Sequence, residues 1–158
     1  MTYDIENLMD DIETFMKANI NTKIAAINAE KADSTVLKTI SDSAYFFQSL
    51  DERVTNFNPF VFYGLAANIE SEGIGPAVSK ILPINIAVIT FDSNQANIGK
   101  RYLRYNRAIE EIFLEKWDQV SNNATKVKVR TPVLIDFTIL NDSQPFRVVG
   151  VELEVTVA

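Results

Sequence analysis

The sequence predicts an α+β fold: a mostly antiparallel sheet with a long C-terminal hairpin, flanked by an N-terminal helix and one central amphipathic helix. Three observations predict it. Apolar residues recur at helical spacing near the N-terminus and again from Ile98 to Val120. Between and after these stretches they alternate, or run continuously over strand-length segments. Two valine-rich runs near the C-terminus are separated by NDSQP, a run of turn formers. A chain of 158 residues with 47% hydrophobic content can bury a core as a single domain, residues 1–158.

Taken in order, Thr2 is placed to cap the first helix, with Asp4 and Glu6 favourably set against its dipole. Ile5, Leu8, Met9, Ile12, Phe15 and Met16 form its apolar stripe, continued by Ile20, Ile24 and Ile27. Asn19 and Asn21 are weak helix formers, so the pattern fits one long helix to Glu30 or two segments bending near Asn19. Asp10, Asp11 and Glu13 form a solvated outer face. Val36–Ile40 reads as a short strand or a turn, and Ala44–Leu50 as extended and aromatic. After the turn residues Asn56, Asn58 and Pro59, the alternation from Phe60 to Glu72 predicts one half-buried strand. Gly73, Gly75 and Pro76 end it. Pro83–Phe91 is apolar on both faces, as a covered central strand should be.

Asn97 is expected to cap the central helix. At roughly 100° per residue, Tyr102, Tyr105, Ile109, Ile112, Phe113 and Val120 share a core-facing stripe. Lys100, Arg104 and Arg107 form a basic line opposite, joined by Arg101, while Leu103, Leu114 and Trp117 make a second, separate apolar strip. A monomer needs only the first stripe. Arg107 can pair with Glu110 or Glu111, but Lys100, Arg101 and Arg104 have no acid at helical spacing. The whole set, Lys100, Arg101, Leu103, Arg104, Arg107, Leu114 and Trp117, is therefore a candidate subunit interface, its cations meeting acids of a neighbour, from residues 1–72.

In the final hairpin, Val127, Val129, Val133, Ile135, Phe137 and Ile139 point inward, and Lys126, Lys128, Arg130, Asp136 and Thr138 outward. Val149, Val151, Leu153, Val155 and Val157 face them, which sets Glu152 and Glu154 beside Lys128 and Arg130. Such long strands are expected to overhang the core and leave an unprotected edge.

Composition excludes more chemistry than it suggests. With no cysteine and no histidine there are no thiolate or imidazole nucleophiles, bases or zinc ligands. No cofactor or metal is expected. Gly73–Pro76 lacks the residues of a phosphate loop, and nothing in the spacing of Asp92, Asp136 and Glu152 requires an acid/base or metal role. The acidic start is no signal peptide, and the Ile81–Phe91 stretch is too short to span a bilayer. The net charge of −6 is uneven: residues 1–72 carry 12 acids and 5 bases, residues 73–158 carry 9 and 10. Such a chain is poorly suited to gripping a phosphate backbone.

The runs INTKIAAINAEKAD, PFVFYG, RYLRYNRAIEEI and GVELEVTV together resemble the tail terminator (tail completion, head–tail joining) proteins of tailed bacteriophages. In the helix segment, Arg101, Tyr102, Arg104, Tyr105, Arg107 and Ala108 carry the likeness. The resemblance implies a non-enzymatic structural virion protein of the tail and neck, in the host cytoplasm before assembly. It implies a homo-oligomer, a hexameric ring that caps the tail tube, contacts tube (or sheath) protein on one side and joins a neck or head-completion protein on the other. DNA is a partner only in passage through the lumen, and no membrane is involved. Other neck and connector proteins share this architecture. A different class of reading remains: a small adaptor or ligand-binding module with Tyr45, Phe46, Phe47, Phe60, Phe62 and Tyr63 around a pocket.

Overall fold

The computed structural model describes residues 4–74, 77–137 and 146–157. The elements are α1 (Ile5–Lys31), β1 (Tyr45–Phe47), a 3-10 turn (Glu52–Asn56), β2 (Phe60–Leu65), β3 (Glu70–Ile74), β4 (Ala77–Ile89), α2 (Gln95–Glu115), a second 3-10 turn (Trp117–Gln119), β5 (Ala124–Phe137) and β6 (Phe146–Val157). The sheet runs β1-β2-β4-β6-β5, with β3 beside β4. Among the described residues only the β1–β2 pair is parallel. This is the expected α+β architecture, C-terminal hairpin included.

α1 starts two residues later than expected. Asp4 is the cap, its carboxylate accepting the Glu6 N–H at 2.9 Å, and Thr2 lies outside the described residues. The helix runs unbroken through Asn19. It buries one stripe from Leu8 to Ile27 and ends at Ala32, whose φ of 46° is left-handed. Asn21 and Asn28, seven residues and so two turns apart, lie on one face. The Asn21 amide accepts the Ile40 N–H (2.8 Å) and donates to the Ile40 carbonyl (2.9 Å); Asn28 does the same for Leu37. Each supplies what a neighbouring strand would. Residues 33–40 are thereby a strap along the helix, neither strand nor tight turn.

The predicted strand Phe60–Glu72 is two strands. β2 pairs with β4 from Phe60↔Ile89 to Leu65↔Ile84, and β3 resumes at Glu70↔Ile81. The break falls opposite Leu82–Pro83. The Pro83 carbonyl accepts from Ala66, so its ring nitrogen, which has no proton, faces the gap where no acceptor waits. β4 is the central strand, buried from Ile86 to Ile89. β2 is covered on both faces rather than alternating: Tyr63 meets α1, while Phe60 packs edge-on against Phe46, ring centroids 5.7 Å apart.

Asn94, not Asn97, caps α2, accepting the Ala96 N–H at 3.0 Å. The expected core stripe is correct: Tyr105, Ile109, Ile112, Phe113 and Val120 are buried and Tyr102 half-buried. α2 packs on β4, β5 and β6 and alongside α1.

In the hairpin, Lys128 pairs across to Glu154 (3.4 Å) and Arg130 to both glutamates, as the sequence predicts. Val151, Leu153, Val155 and Val157 are buried. Below Gly150 the parity changes, so Val148 rather than Val149 is buried, against Ile135. Pairing of β6 with β4 stops at Ile86↔Val151, and beyond it, among the described residues, β5 and β6 pair only with each other. The overhang is real, but the edge is not unprotected. Two register shifts, at Ala124/Lys126 and Arg130/Val133, interrupt β5, and Pro132 and exposed lysines sit on it. Thr138, Ile139, the Asn141–Pro145 turn and the Gly75–Pro76 turn lie outside the described residues.

Candidate functional surface

α2 has three faces. One meets the sheet. A second, carrying Arg101, Arg104, Arg107 and Glu111, runs toward α1 and the loops around it, and the third looks outward.

The second face corrects the reading of the arginines. Arg104 is 9% exposed. Its guanidinium grips Asp33 bidentately, with Nη1–Oδ1 at 2.9 Å, and also donates to the Thr35 carbonyl. Arg107 forks onto Glu30 at 2.8 and 2.7 Å while its Nε donates to Glu111 at 2.6 Å. Arg101 pairs with Asp92 at 3.2 Å. The acids do come from residues 1–72 for Arg104 and Arg107, but from the same chain. Helical spacing could not reveal them, because partners 71 and 77 residues away meet only once α1 and α2 pack. Hydrogen bonds from these guanidiniums hold the Asp33 and Glu30 carboxyls down to about 2. The Tyr105 hydroxyl completes the strap's anchorage, donating to the Lys38 carbonyl (2.9 Å) and accepting its N–H (3.1 Å); burial pushes this phenol up to about 12.

The outward face carries Lys100, Leu103, Leu114 and, just past the helix, Trp117. Leu103 is 62% exposed, Leu114 56% and Trp117 46%. Around Leu103 the side chains of Lys31, Lys100, Arg104 and Arg107 form a shallow cup, apolar at its floor and basic at its rim. Lys100 is exposed and makes no ion pair among the described residues. Of the predicted interface set, then, Lys100, Leu103, Leu114 and Trp117 face solvent, Arg107 lies at the margin, and Arg101 and Arg104 face inward. Lys31 joins the cup unforeseen.

The aromatic group does not gather around one opening. Phe46 and Phe60 are buried against each other and Phe57, Tyr63 donates to Glu13, and Phe47 stacks on Tyr63 at 5.4 Å with 38% of its surface exposed. Asp92 is occupied by Arg101, and Glu152 by Arg130. Among the described residues no group of three or more acids is placed to hold a metal, and no helix is long and apolar enough to cross a membrane. No protein-family model matches the chain, and no curated protein matches it.

Proposed function

We propose that the chain is a non-enzymatic structural subunit that assembles into a ring through the outer face of α2, and that the ring is a tail terminator of a tailed phage. One observation carries the assembly reading: Leu103 and Leu114 on α2, and Trp117 just past it, lie exposed while the other two faces of the helix meet the sheet and the α1 side. Burying a leucine completely is worth about 1.5–3 kcal/mol, so these side chains favour association wherever a complementary surface exists. A repeated contact between unlike patches closes into a ring or runs on as a filament. The terminator role rests on the family resemblance and on agreement of the α+β fold with it. In that role the ring, hexameric by the resemblance, sits between tube (or sheath) protein and a neck protein.

Size-exclusion chromatography with light scattering and negative-stain imaging test the assembly. The wild type should form rings, and Leu114→Glu with Trp117→Glu should give folded monomers. A wild type that stays monomeric at every concentration overturns the ring. Rings mixed with purified tail tubes should bind one tube end; rings that ignore tubes reject the terminator role in favour of another neck connector.

A further inference from the structure

The outer face of α2 needs a counterpart, and the opposite edge of the sheet offers one. β1 forms that edge, pairing only with β2 among the described residues. α1 lies over this side of the sheet, through Tyr63 to Glu13 and Lys17 over the Tyr45 ring, whereas α2 covers β5 and β6. The two surfaces are therefore on different flanks of the subunit.

The β1 edge is aromatic and acidic. Phe47 projects from it on a fixed backbone, because the next residue, Gln48, donates its N–H to the Tyr63 carbonyl (2.9 Å) and accepts the Leu65 N–H (3.2 Å). Asp42 and Asp10 are exposed and make no ion pair among the described residues. Both lie near these rings: after burial, Asp42 and Glu13 raise the Tyr45 phenol, and Glu13 and Asp10 raise that of Tyr63. Lys17 and Arg53, which lie over the Tyr45 and Phe46 rings, are cations there, and Glu13 and Asp51 already hold them. The Leu103 cup has the complementary character: Lys31, Lys100, Arg104 and Arg107 line it around Leu103, and while Glu30 holds Lys31 and Arg107, Lys100 makes no ion pair among the described residues.

Resting on the ring reading above, we propose that the Leu103 cup of one copy receives the Phe47 edge of the next, with Lys100 facing Asp42. The contact is head-to-tail. An isologous pairing of α2 strips would set like charges against each other and would stop at a dimer.

Complementation tests it. Leu103→Glu disables only the cup and Phe47→Lys only the edge; both sites are exposed, so each variant should show the wild-type circular dichroism. Each alone should be monomeric, and an equimolar mixture should yield one species of twice the 17.8 kDa chain mass, held by the one intact junction. Phe47→Lys assembling like the wild type, or a mixture that stays monomeric, overturns this pairing while leaving a wild-type ring intact. A monomeric wild type removes both readings. A charge swap gives a second measurement without touching the apolar centre: Lys100→Glu and Asp42→Lys should each weaken assembly about tenfold and together restore it. Failure to restore overturns the Lys100–Asp42 contact.

Discussion

Single polar side chains hold this molecule's irregular parts. Asn21, Asn28 and Asn58 each satisfy both backbone groups of one residue, Ile40, Leu37 and Phe91 respectively. Replacing Asn28 by Ala should leave the N–H and carbonyl of buried Leu37 unpaired at a cost of about 1–3 kcal/mol, measurable by urea denaturation. Arg104 acts on the same strap through Asp33. The sign of its pH dependence follows from the direction of the shift. Asp33 and Glu30 titrate at about 2 when folded, below their ordinary values of 3.8 and 4.5, so their contribution is fully present above those ordinary values. It is lost as pH falls from about 4 to 2. Thermal melts across that window should show stability dropping, with a shallower drop in Asp33→Asn. Reversing Arg104 to Glu would set two carboxylates together at a nearly closed site, and so is a stability change before it is an interface change.

At the level of elements, the C-terminal hairpin shows how one position can fix the course of two strands. At Gly150, β6 leaves β4 and continues with β5 alone. A Cβ there would lie 2.6 Å from the Ile86 carbonyl oxygen and collide with the Ile135 side chain. Side chains can rotate away; the backbone oxygen of a central strand cannot. Gly150→Ala should therefore destabilise by about 1–3 kcal/mol, read as a lower denaturation midpoint with the slope unchanged. The break between β2 and β3 has the same local logic, since Pro83 places a missing donor where the partner strand departs.

For the whole molecule, two helices on one face of a twisted sheet close a single core from α1 to β6, leaving uncovered apolar surface on α2 and at Phe47. If association covers that surface, the melting temperature of the wild type should rise with protein concentration, because binding of the native form alone stabilises it by mass action. The Leu114→Glu, Trp117→Glu chain should melt at one temperature at all concentrations. A concentration-independent wild type would contradict assembly.

Much of the fold was legible because it depends on periodicity. The stripes of α1 and α2, the doubly covered β4 and the charge pairs Lys128–Glu154 and Arg130–Glu152 follow from spacings of 3.6 and 2 residues. So did the excess of apolar surface at Leu103, Leu114 and Trp117. Beyond the Arg107–Glu111 pair, the destinations of Arg101, Arg104 and Arg107 were not legible, because charge attraction names a kind of partner and no address. Only the packing of α2 against α1, which brings residues 71 and 77 apart into contact, decided that Arg104 and Arg107 serve their own chain. The same holds for the strap and for the β1 edge, whose character depends on which segments the sheet brings together. Local sequence sets what each segment prefers; long-range closure selects which of its polar groups remain free for anything outside.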